Sequence, residues 1–95
     1  MYSIIHEAVF DEEATKIFGT QERADSAIQG VEWYLAKDPQ DDSICPLFMK
    51  ISAKLELRTY KSEPTESFPA IVIYYTVSDD KKIVLRKIIR AEEEF

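Results

Sequence analysis

Ninety-five residues with 45% hydrophobic and 12% aromatic side chains suffice for one domain with a modest core, and are too apolar for a disordered chain. A formal net charge of −6 repels nucleic acid at long range, so direct nucleic-acid binding is not expected. A single cysteine (Cys45) and a single histidine (His6) exclude an intrachain disulfide, a cysteine-cluster or paired-histidine metal site and a Ser/His/Asp triad, and no phosphate loop or paired-carboxylate spacing appears; neither metal nor cofactor is expected.

The charge is unevenly spread. Residues 1–42 hold three basic side chains against ten acidic ones, whereas residues 43–90 hold nine against five, before the acidic run Glu92-Glu93-Glu94. Met1 to Phe10 has no basic leader, and Glu7 interrupts its apolar run. The longest apolar stretch, Ile71 to Tyr75, is far short of the ~20 residues that span a bilayer. The expectation is a cytoplasmic protein with no membrane partner.

Along the chain, Tyr2 to Ala8 reads as a first strand. Asp11 is a candidate N-cap for a short helix with Glu12 and Glu13 in its first turn, ending at Gly19. Thr20 can cap a longer helix to about Lys37, whose apolar residues Ala24, Ala27, Ile28, Val31, Tyr34 and Leu35 follow helical spacing. Asp38-Pro39 stops it. From Met49 to Tyr60 the chain alternates, with Met49, Ile51, Ala53, Leu55 and Leu57 on one side and Lys50, Ser52, Lys54, Glu56 and Arg58 on the other. Period two predicts one long strand there. Ala70–Val77, apolar on both faces, predicts a central strand; Ser78-Asp79-Asp80-Lys81 predicts a turn and Lys82–Arg90 a last strand. The predicted fold is α+β in the order β-α-α-β-β-β: an N-terminal strand, a two-helix arm and a three-stranded antiparallel meander. In it Ile28, Val31 and Leu35 would meet Ile51, Leu55 and Leu57.

Several residues follow as site candidates. Lys50, Lys54 and Arg58 would share a sheet face with Arg86 and Arg90, making either an anion site or a solvated face with Glu56 as ion-pair partner. Tyr60, by parity, falls with Lys54 and Arg58 and is the best placed phenol, against a plain cross-strand packing role. Trp33 projects opposite the apolar stripe, as a partner-docking aromatic or a ring covered by a neighbouring element. His6 reads as structural or exposed, and Cys45 as an inert thiol.

Three strings carry a resemblance: Glu32-Trp33-Tyr34-Leu35-Ala36-Lys37-Asp38-Pro39, Leu57-Arg58-Thr59-Tyr60, and Ile73-Tyr74-Tyr75-Thr76-Val77 followed by Ser78-Asp79-Asp80 and Lys82-Ile83-Val84-Leu85. Together with the element order, they resemble the RelE/ParE superfamily of toxin–antitoxin toxins. The resemblance implies an antitoxin-like protein segment as partner, with the ribosome or a DNA topoisomerase as target and a homodimer as an alternative assembly. In the RNA-cleaving members it implies an endoribonuclease site on the sheet, where Lys54 and Arg58 sit on the corresponding strand; with Tyr60 and Arg86 they are the catalytic candidates, while Trp33, from the helical projection, and Lys50 and Arg90, from the sheet face, are the partner-binding candidates. Two departures are visible. Val72 stands where the family often has arginine, and Ala91-Glu92-Glu93-Glu94-Phe95 stands where it continues with basic residues. Carboxylates beside a phosphate site weaken anion binding. The sequence therefore points to a component that binds rather than cuts, or to a non-catalytic interaction module of the same fold.

Overall fold

A computed structural model describes residues 2–93. The chain runs β1 (Ser3–His6), α1 (Ala8–Phe18), α2 (Gln21–Lys37), β2 (Leu47–Ser52), β3 (Leu55–Lys61), β4 (Ile71–Ser78), β5 (Lys82–Arg90) and a 3-10 turn at Ala91–Glu93. The strands form one sheet in the order β1-β5-β4-β3-β2. β1 runs parallel to β5, and every other neighbouring pair is antiparallel. The class is α+β with two helices on one face of a five-stranded mixed sheet.

α1 starts three residues earlier than its predicted cap at Asp11. Glu7 is the N-cap, though its side chain makes no capping bond. Phe10, Ala14 and Phe18 are all buried. Their four-residue spacing forms one helical stripe, and continuing the helix back to Ala8 is what buries Phe10. The first strand is correspondingly cut to Ser3–His6. Gly19 ends α1 at φ 94° and donates its N–H to the Thr15 carbonyl at 2.8 Å, a left-handed cap that costs glycine little. The Thr20 hydroxyl accepts the Arg23 N–H at 3.1 Å, so α2 begins as predicted.

The predicted strand from Met49 to Tyr60 is instead a hairpin, and the meander has four strands rather than three. The chain reverses at Ala53-Lys54, where the Lys54 N–H donates to Ser52 Oγ at 3.2 Å. Among the described non-glycine residues only Lys81 has positive φ, so this turn uses neither of the primed types that announce themselves through Gly or Asn-Gly. Turns of the other hand fit strand twist less well, and β2 carries register irregularities between Leu47 and Met49 and between Lys50 and Ser52.

The core follows from these registers. Phe10, Ala14 and Phe18 of α1 and Ala24, Ile28, Val31 and Leu35 of α2 cluster with Ile71, Ile73, Tyr75 and Val77 of β4 and Ile83, Leu85 and Ile88 of β5. β4 is central and nearly wholly buried. The stripe of α2 therefore meets β4 and β5, not Ile51, Leu55 and Leu57. Arg58 opposes Tyr75 and Tyr60 opposes Ile73, which turns Arg58 and Tyr60 toward the helices and Leu55, Leu57 and Thr59 away from them.

Candidate interaction face

Arg58 faces the helices and is only 5% exposed. Its guanidinium donates to Asp42 Oδ1 at 2.8 Å, to the Cys45 carbonyl at 2.6 Å and to Glu56 Oε1 at 3.2 Å. Burial opposes its charge, but hydrogen bonds to Asp42 and Glu56 outweigh that and hold it protonated. These bonds pin the loop between α2 and β2. Gln40 donates to Glu56 at 2.6 Å, which is the first reason the Glu56 carboxyl lies below its usual range, and the Tyr75 hydroxyl donates to the Pro39 carbonyl at 2.7 Å. Burial raises the Tyr75 phenol far above its ordinary range and also raises the Cys45 thiol, despite Arg58 nearby. Arg58 is thus a loop anchor, its Nε and Nη1 engaged by Glu56, Asp42 and the Cys45 carbonyl.

The other candidates are not gathered around it. Lys54 is exposed in the β2–β3 turn, its carbonyl accepting the Asp79 N–H at 3.0 Å. Lys50 opposes Glu56 across the β2–β3 ladder. Arg86 lies on the opposite face, donating to Thr76 Oγ1 at 3.1 Å and to Glu7. Arg90 turns toward α1, with Nη2 3.4 Å from the Ile17 carbonyl and Nη1 3.9 Å from Glu92. The cause is a bulge in β5: Tyr75 pairs with Leu85 but Tyr74 with Lys87, leaving Arg86 as the extra residue. One inserted residue reverses parity, so Arg86 and Arg90 cannot share a face. The predicted five-cation face is not formed.

Tyr60 is partly buried against Tyr34, ring centroids 5.8 Å apart at 51°, and burial raises its phenol pKa. It is separated from Arg86 by the sheet itself. The acidic tail is described only as far as Glu92; the Glu93 side chain and residues 94–95 lie outside what the structure describes.

On the sheet face away from the helices, Val72, Thr76 and Thr59 in the middle are buried, and the exposed apolar side chains lie toward the edge strands β1 and β2. Strand pairing places Ile5 beside Val84, Val84 beside Thr76, Thr76 beside Leu57 and Leu57 beside Met49. Phe48 stands edge-on to Tyr74, centroids 6.2 Å apart. Phe48, Met49 and Ile51 are 61%, 53% and 51% exposed, and Ile5 and Leu47 are exposed as well. β2 is the sheet edge, and all six of its residues are exposed. Lys50 is its one charged side chain. An apolar edge strand with so little charge to guard it is a surface that pairs or gets covered. The sequence signal was Leu47-Phe48-Met49, an apolar run just before the alternation, which a half-buried strand does not need.

Trp33 is 64% exposed on the outer face of α2, as the helical projection predicts, with the Lys37 ammonium 3.5 Å from its ring centroid. No helix among the described residues is long and apolar enough to cross a membrane. No protein-family model matches the chain, and a search of curated proteins finds no match either.

Proposed function

We propose that this chain is the RelE/ParE-like toxin component of a cytoplasmic toxin–antitoxin pair and that it acts by binding rather than by cutting mRNA. The observation that carries this reading is the apolar sheet edge at β2, where Phe48, Met49 and Ile51 are all more than half exposed. Such a patch on a small domain is expected to be covered by a partner. The strand-rich part of the chain, residues 43–90, is the basic part, so the occupant is an apolar protein segment with acidic flanks. This segment is the antitoxin, and it competes with the target, a ribosome or topoisomerase surface. The binding reading is supported by the dispersal of Arg58, Tyr60 and Arg86, since a phosphoryl-transfer site needs its cations and proton carrier around one point.

A second reading, a non-toxic interaction module of the same fold, is favoured by one observation: Arg58, the most family-like cation, is buried and engaged as a structural anchor. Expression of the chain alone under tight control separates the two. Growth arrest with intact mRNA supports the toxin that binds. Normal growth at high expression leaves the interaction module, and arrest with cleaved mRNA overturns the binding mechanism.

A further inference from the structure

His6 is the last residue of β1 and faces the helices. Its Nδ1 is 2.8 Å from Asp11 Oδ1 on α1, and its Nε2 is hydrogen-bonded to Glu32 Oε1 on α2. The ring also stands edge-on to Phe10, centroids 5.5 Å apart. A neutral imidazole has one N–H donor, whereas two carboxylates require two. The arrangement is that of an imidazolium.

The surroundings favour the same state. Beside His6 the two helices leave a groove of about 700 Å³, floored by Ala14, Ala24 and Ile28. Its charged lining, apart from the two partners, is Glu12 and Lys16 from α1 and Asp25 from α2, a net negative set. The next charged residue of the chain, Glu7, is taken up by Arg86 of β5.

We propose that His6 is a proton-operated clasp that ties the first turn of α1 to β1 and α2, and that it releases that turn when it loses its proton. Of the two carboxylates, Asp11 has 61% of its side chain exposed and Glu32 only 30%. The single remaining N–H therefore stays with the less hydrated Glu32, and Asp11 turns to water. Release matters at this turn because Glu7 supplies no side-chain cap, leaving His6 as the side chain that anchors Asp11. The consequence reaches the sheet, since Glu7 also holds Arg86 and Ile5 lies on the face away from the helices. The clasp stands on the His6 geometry alone and holds whatever the partner of the sheet face is.

The direction of the pH effect follows. Burial alone would lower the His6 pKa, but hydrogen bonds to Asp11 and Glu32 outweigh it and raise it above the ordinary 6.5. A group with a raised folded-state pKa contributes its stabilisation fully below the unfolded value and loses it as pH rises through the folded value. The clasp is closed at mildly acid pH and opens toward alkaline pH.

His6 is the only histidine, so ¹⁵N-imidazole NMR of the full chain reports this one ring. Expected are protons on both ring nitrogens at mildly acid pH, a midpoint above 6.5 that falls in Asp11→Asn and in Glu32→Gln, and amide exchange over residues 8–12 that accelerates through the midpoint beyond intrinsic base catalysis. That extra acceleration should vanish in His6→Gln. A midpoint at or below 6.5, or exchange over residues 8–12 that ignores the titration in the unaltered chain, would overturn the proposal.

Discussion

Arg58 donates a 2.6 Å hydrogen bond to the main-chain carbonyl of Cys45, thirteen residues earlier in the chain. That bond fixes where the loop leaving α2 meets the sheet, and so where the exposed strand β2 begins. The cation that most resembles a catalytic group in the sequence is spent on architecture.

Removing it should therefore damage the fold before any activity. Arg58→Ala leaves the Cys45 carbonyl without this donor and Glu56 without its guanidinium, and should cost about 2–4 kcal/mol of stability. Urea denaturation checks this, with Arg86→Ala, whose side chain is half exposed, as the milder comparison. A stability loss for Arg58→Ala no larger than for Arg86→Ala would contradict the anchor role.

Cys45 is fully buried, and burial raises its thiol pKa. A thiol reagent at mildly alkaline pH should label the native chain at least about 100-fold more slowly than the urea-unfolded chain. Absorbance of the released reagent follows both rates. Equal rates would mean the loop from Asp38 to Pro46 opens freely.

Thr20→Ala removes the hydroxyl that accepts the Arg23 N–H and should destabilise the chain by about 1 kcal/mol, while Thr20→Ser should cost much less. Thermal unfolding of the two variants distinguishes a lost cap from a lost methyl group.

Phe48→Asp/Ile51→Asp places charge on an exposed edge, so its folding stability should stay within about 0.5 kcal/mol of the parent. Light scattering at high protein concentration should show less self-association than the parent. A large loss of stability would instead mean that β2 is part of the core.

Local punctuation made much of this fold legible. Thr20, Gly19 and Pro39 bound α2 in the sequence as they do in the structure, and Ser78 to Lys81 turns the last hairpin. Two kinds of information were not local. The reversal at Ala53-Lys54 has no residue that demands positive φ, so uninterrupted alternation read as one strand. The bulge at Arg86 inserts a single residue whose sequence signature is nil, yet it sends Arg86 and Arg90 to opposite faces. Together these errors of parity moved the expected helix contact from β4 and β5 to Leu55 and Leu57, and assembled a basic face that the sheet does not have. The apolar edge at β2 was hidden for the same reason. Its residues looked like core until the register turned them outward.

The most direct test of the apolar edge is hydrogen exchange on the β2 amides, with and without the acidic-flanked apolar segment proposed as its partner. The account predicts that the partner protects residues 47–52 and that Phe48→Asp/Ile51→Asp abolishes the protection while the chain stays folded. Protection confined to the outer face of α2 around Trp33, with β2 exchanging as freely as before, would contradict it.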